Sequence, residues 1–313
     1  MAIYDINGTV LCDETPAVSH TDAECSQAFM SYMAEKCSVY GMAGTHFENP
    51  SGLTIESHST PQDLLKLGLA VVSNREALDI WSTASRSFAI KGNNARTISV
   101  VNNAPSVYGE VFSPYGYKYL GGKGGSLTIS GYDRALIALV DIENIPVVFA
   151  FMARGKTSYD NRTLCAKEIC DMVKAKINGQ TPTQGSNLNT LISDGGGYAA
   201  CAVPVDVGGY VNFLTPAEAI ARQYSVSGSP TANRVPASTT KTMTMLCALD
   251  FITDMYMPIT VKTVDITGGS GSTFYNGDTM SFHDAVRIMM MESSNTLATA
   301  IARTVGNLIL NKS

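Results

Sequence analysis

Apolar positions along this chain recur with two different periods, and each change of period marks an element. Behind Thr21-Asp22-Ala23-Glu24, a hydroxyl and a carboxylate three residues apart in capping order, positions 25, 29, 32, 33, 36 and 40 follow helical spacing until Gly41 and Gly44. Ser59-Thr60-Pro61 opens a helix through about Val72, and Glu76 to Trp81 predicts a shorter one. Leu164, Ile169, Met172 and Val173 form one stripe of a helix over Thr163 to Ile177. Further helices are expected at Pro216 to Tyr224, at Thr242 to Leu249, and from Ser281 to Met291, the last halting at Glu292-Ser293-Ser294-Asn295 and resuming from Thr296 to Val305.

Strand signals alternate with these. Ala2 to Cys12 reads as two short runs around Asn7-Gly8, the strongest short hairpin signal. Ser87 to Ile90, Thr97 to Val101 and Ile259 to Ile266 read as strands. The run from Lys123, then Ala135 to Ile142 and Pro146 to Met152 joined by Glu143-Asn144, predicts a three-stranded antiparallel meander. The small polar residues of 178–190 read as a linker between 1–177 and 191–313, with both segments forming one domain. Gly268 to Ser272 reads as a flexible loop, and 195–209 has no legible state.

Composition narrows the function. The chain has 313 residues, 45% of them hydrophobic, enough for a sizeable core, and a net charge of −5 with no basic stripe, which argues against a nucleic-acid partner. No apolar run reaches membrane-spanning length, and Met1 to Asp5 lacks the basic start and apolar core of a signal peptide. Seven cysteines include no Cys-x-x-Cys pair and read as mostly reduced, small hydrophobes. Four scattered histidines show no metal spacing, so no metal or cofactor is expected.

Against that background the chemistry gathers at Pro236-Ala237-Ser238-Thr239-Thr240-Lys241. Residues at i and i+3 share a helix face, so the Ser238 hydroxyl and the Lys241 amine can meet. A serine becomes a nucleophile when a neighbouring base takes its proton, and a lysine held neutral is such a base. Chance alone supplies on the order of one Ser-x-x-Lys in a chain this long, so partners must raise its weight. Two stretches do so. Ser293-Ser294-Asn295 breaks a helix with a hydroxyl and an amide, and Lys123-Gly124-Gly125 begins a strand with a cation and no bulk.

Together these motifs resemble those of the penicillin-binding serine hydrolases, Ser-x-x-Lys, Ser-x-Asn and Lys-Thr-Gly. The chain looks most similar to the low-molecular-weight D-alanyl-D-alanine carboxypeptidases, and Asn49-Pro50-Ser51-Gly52-Leu53 also resembles a stretch of that family. The resemblance implies an α+β (α/β sandwich) fold: an antiparallel five-stranded sheet, made of the 2–12 hairpin and the meander, covered by helices and joined to an all-helical subdomain. It implies Ser238 as nucleophile, Lys241 as base, Ser293 as proton relay beside Lys123, and Asn295 as a contact for the substrate amide. Gly124, Gly125, Ser126, Thr128 and Arg154 would bind substrate, with the N–H groups of Ser238 and Ser126 stabilising the oxyanion. Peptidoglycan stem peptides or β-lactams are the implied partners, at an extracytoplasmic site.

Two departures stand out. The family runs from the nucleophile motif to Lys-Thr-Gly, whereas Lys123 here precedes Ser238, so the chain order looks circularly permuted. A rearranged chain whose 178–190 linker joins the old ends requires the 2–12 hairpin to pair with the meander sheet. The second departure is Gly124, which stands where the family has a hydroxyl for the substrate carboxylate. That absence keeps open a β-lactamase-like hydrolase, a serine esterase or amidase, or a silent binding protein of the same fold.

Overall fold

The computed structural model describes residues 20–129, 132–155, 162–193, 195–205, 224–227 and 231–312. Its elements are a mixture of helices and antiparallel sheet, so the coarse α+β expectation holds. The expected 2–12 hairpin lies outside the described residues, as does all of the expected 216–224 helix except Tyr224.

The meander is the frame. β3 (Tyr117–Leu127), β4 (Tyr132–Ile142) and β5 (Ile145–Gly155) pair antiparallel in sequence order. Glu143 and Asn144 both take positive φ, 54° and 65°, as a two-residue turn matched to strand twist requires. Beyond β5 the sheet continues with a segment whose state the sequence left open. Its next strand is β6 (Gly197–Pro204), and the short segment β7 (Tyr224–Ser227) pairs along the outer edge of β6. The position beside β5 therefore belongs to residues 197–204. Tyr198 to Val203 is buried on both faces, so it shows no alternation from which a strand could be read.

Period-two alternation sends the sheet's side chains into two cores. Leu136, Ala138, Val140, Phe149 and Phe151 face one side, where Cys165, Ile169 and Val173 of α5 (Arg162–Ile177) cover them. Ile137, Leu139, Val148, Ala150 and Met152 face the other, against Leu64, Leu65 and Val71 of α2 (Pro61–Val72). Burying one such aliphatic side chain stabilises by about 1.5–3 kcal/mol, so these two faces hold the layers together.

Part of the expected 178–190 linker is helical. α6 (Ser186–Ser193) begins inside it, and Glu168 of α5 receives the backbone N–H groups of Asn187 and Leu188, both at 2.9 Å. A carboxylate on the free N–H groups of a helix start is a favourable cap. The segment is therefore folded onto the sheet's cover.

The helical side comprises α1 (Asp22–Val39), α3 (Arg75–Ser82), α7 (Thr240–Phe251), α8 (Phe282–Met291) and α9 (Asn295–Leu310). The Thr21–Glu24 capping box is present as read from the sequence. Lys36 ties α1 to α7 by donating to the Leu246 carbonyl and pairing with Asp250. A small ribbon, β1 (Ser85–Ile90) with β2 (Arg96–Val101), leads into α4 (Asn103–Phe112), a helix that the aromatic, glycine-containing sequence concealed. The expected 259–266 strand shrinks to β8 (Pro258–Thr260), paired with β9 (Thr279–Ser281) and followed by a single 3-10 turn. Among the described residues no helix is long and apolar enough to cross a membrane. Cys25, Cys37, Cys170, Cys201 and Cys247 are buried free thiols, and burial pushes the Cys37 thiol up to about 12.

Candidate active site

Ser238 sits on a 3-10 turn, Ala237–Thr239, that leads directly into α7. The turn is strained: Ala237 has φ 47°, a left-handed conformation that costs a non-glycine residue roughly 1–3 kcal/mol. It is held in place from both sides. Thr239 Oγ1 donates to the Pro236 carbonyl at 2.7 Å, and Gly52 packs so closely that a Cβ there would lie 2.0 Å from the Ala237 carbonyl oxygen. Gly125 of β3 crosses the other side, where a Cβ would stand 2.9 Å from the Ser238 nitrogen. The strand can approach the Ser238 N–H this closely only because Gly125 has no side chain.

Lys241, fully buried, reaches back one turn to place its Nζ 3.0 Å from Ser238 Oγ. Two further acceptors fix the amine: the Ser51 carbonyl oxygen at 2.7 Å and Asn295 Oδ1 at 2.7 Å. In its neutral form the amine would have two N–H bonds for these two acceptors and one lone pair left for the Ser238 hydroxyl; as an ammonium it would donate to all three. Burial, with the like charge of Lys123 added to it, holds the Lys241 pKa well below its usual value. The Ser51 carbonyl is set by an Asx turn in which Asn49 Oδ1 accepts from the N–H groups of Ser51 and Gly52.

A second lysine–serine pair faces the first. Lys123 Nζ donates to Ser293 Oγ at 3.0 Å and to the Gly124 carbonyl at 2.7 Å, and burial brings its pKa down to about 7. Ser293, just beyond the end of α8, has φ 66°, so a strained non-glycine residue stands on this side as Ala237 does beside Ser238. Ser294 then caps α9 through the Leu297 N–H. The cleft between these elements has a volume of about 540 Å³, lined among others by Lys123, Gly124, Ser126, Arg134, Ser238 and Ser293.

The substrate-side residues divide. Gly124, Gly125 and Ser126 line the cleft. Thr128 lies beyond the end of β3, on the surface and away from the lining. Arg154 is not among the residues lining the cleft; its register partner is Asp133, 3.8 Å away. Arg134 does, opposite Ser126 in the β3–β4 register and in contact with the Ser126 hydroxyl. Adjacent residues of a strand face opposite sides, so Asp133 and Arg154 share one face while Arg134 takes the other. Asn295 is also placed differently from expectation. It is buried, with Oδ1 on Lys241 and Nδ2 donating to the Gly268 carbonyl at 2.9 Å, so it holds the Lys241 amine instead of lining the cleft.

Sequence reasoning missed three contributors. The Ser51 carbonyl carries no side-chain signal. Tyr108 of α4 lines the cleft from a helix that was not read. Glu292 pins the loop expected to be flexible, accepting from the Ser272 N–H and hydroxyl, both at 2.7 Å, so that Ser270 and Gly271 form a wall. Among the described residues no group of three or more His, Cys, Asp or Glu side chains is placed to hold a metal ion. Comparison with protein-family models, with curated proteins and with solved structures returns no match, so the functional reading rests on the residues and their geometry.

Proposed function

We propose that this protein is a serine hydrolase that works through an acyl-enzyme, of the D-alanyl-D-alanine carboxypeptidase type, within a permuted relative of the penicillin-binding fold. The observation that carries the reading is the buried Lys241 amine, 3.0 Å from Ser238 Oγ with its remaining hydrogen bonds occupied by Ser51 and Asn295. A surface lysine one turn from a serine would have neither the burial nor the two fixed acceptors.

Ser238 Oγ attacks the acyl carbonyl as its proton passes to Lys241 Nζ. The N–H of Ser238, with that of Ser126 on the neighbouring strand, receives the developing oxyanion. Collapse breaks the scissile C–N bond, and the proton that Lys241 took from Ser238 passes through the Ser293 hydroxyl to the leaving amine, which returns Lys241 to its neutral form; Lys123, 3.0 Å from Ser293 Oγ, sets the orientation of that hydroxyl. Water then attacks the ester, gives its proton to Lys241, and releases the acid and the Ser238 hydroxyl. Arg134 and the cationic form of Lys123 favour a donor bearing a carboxylate, such as a peptidoglycan stem peptide ending in D-Ala-D-Ala. Such a substrate places the site outside the cytoplasm. In a β-lactam the leaving nitrogen stays tethered to the acyl group, so the acyl-enzyme should accumulate.

Incubation with benzylpenicillin followed by intact mass measurement tests this. One adduct per chain on the wild type and none on Ser238→Ala is the expected result. No adduct on the wild type, or the same adduct on Ser238→Ala, overturns the assignment.

A further inference from the structure

Gly124 is unlike its neighbour. Gly125 is required, because a Cβ there would collide with the backbone around Ser238. At Gly124 a Cβ would meet only Tyr108, at 3.6 Å from the hydroxyl oxygen and 3.7 Å from a ring carbon, which is ordinary contact, and its φ lies outside the left-handed range. Neither backbone nor packing demands glycine at 124, so its effect is on the cleft, where it leaves the floor bare.

What faces that bare floor is a phenol. Gly124 pairs in register with Leu136, so its missing side chain points to the face that α4 covers. Tyr108 reaches the spot from α4, lines the cleft, and carries no hydrogen bond among the described residues. Its ring is held by stacking on Tyr119, with centroids 6.0 Å apart and planes at 14°, and by Phe112 at 6.0 Å. The helix itself is anchored by Asn102, whose Oδ1 caps the Ala104 N–H and whose Nδ2 donates to the Thr83 carbonyl. Burial raises the Tyr108 pKa, so the phenol stays protonated and able to donate at neutral pH. Arg134 and Ser126 border the same corner of the cleft.

Resting on the acyl-enzyme reading above, we propose that the Tyr108 hydroxyl is a specificity-determining contact for the carboxylate of the acyl donor, delivered by α4 through the gap that Gly124 leaves. A strand hydroxyl at position 124 would meet the same oxygen from below; a helix phenol meets it from the side, with the anion seated one side chain deeper. The pair 108/124 then forms one functional unit, with either residue able to supply the hydroxyl.

The test compares an acyl-D-alanyl-D-alanine peptide with its C-terminal methyl ester, which keeps the scissile amide and removes the charge. Tyr108→Phe, which preserves the ring stack, should lower kcat/KM for the carboxylate peptide about tenfold or more, through KM, and leave the methyl ester unchanged. The unchanged ester rate also serves as the folding control. Adding Gly124→Thr to Tyr108→Phe should restore most of the loss, because the new Cβ meets only space and ring carbons. Equal rates for the two enzymes on both substrates, or equal losses on both, overturns the assignment of Tyr108 while leaving Ser238 as nucleophile. A wild type acylated by neither donor nor by benzylpenicillin removes both readings together.

Discussion

Lys123 offers a measurement that separates its burial from its chemistry. Its pKa is about 7 in the folded protein against 10.5 as the ordinary value, with burial as the cause. Below pH 7 both folded and unfolded chains hold the proton, and the folded state carries the full cost of an ammonium taken out of water. Between pH 7 and 10.5 the folded state sheds the proton while the unfolded state keeps it. Stability therefore rises through that window, and it is lost again as pH falls through the folded pKa. At about 1.4 kcal/mol per unit, the contribution over the window is roughly 5 kcal/mol. Lys123→Met keeps most of the side chain's volume and removes the ammonium. It also removes two hydrogen bonds, to Ser293 Oγ and the Gly124 carbonyl, a loss of about 1–3 kcal/mol. The variant should accordingly be more stable than wild type by about 2–4 kcal/mol near pH 6 and less stable by about 1–3 kcal/mol near pH 10. Urea unfolding followed by circular dichroism at the two pH values, with m-values compared, reads this directly. A difference between variant and wild type with the same sign and size at both pH values would refute the reasoning.

Three further outcomes follow from the same geometry. Lys241→Met should reduce the rate of penicillin acylation by about a thousandfold or more while the protein keeps its near-ultraviolet circular dichroism, because the base is removed and its methylene stem is not. Gly125→Ala should slow acylation and destabilise by about 1–3 kcal/mol, since its Cβ would press on the Pro236 carbonyl oxygen and the Ser238 nitrogen at 2.7 and 2.9 Å; acylation and melting temperature equal to wild type would exclude the close crossing. Arg134→Ala should raise KM for a carboxylate-bearing peptide about tenfold or more, whereas Arg154→Ala should leave it within about twofold, measured in one steady-state assay.

The structure also explains which readings of the chain succeeded. The Thr21 capping box, the Glu143-Asn144 turn and the Ser238–Lys241 spacing each depend on residues no more than four apart, and all three are present in the fold. β6 was illegible because it is buried on both sides, and α4 because Pro105, Gly109 and its aromatic residues weaken the helical pattern. Arg134 gave no sequence signal of its place at the cleft, for a different reason. Strand parity decides which face an arginine takes, and parity is set by the β3–β4 register, not by distance along the chain.

By itself, then, the chain determined the chemistry available and its local spacing: a hydroxyl one turn from an amine, a second hydroxyl at a helix break, and a cation at the start of a strand without bulk. Tertiary structure decided what those groups become. Lys123 meets Ser293 across 170 residues of chain, and Lys241 meets the Ser51 carbonyl across 190. Those contacts depend on how a β-sheet edge packs against three helices. A lysine is a base only when it is dehydrated and held neutral, and dehydration is a property of everything packed around the side chain, which no stretch of sequence near Lys241 contains.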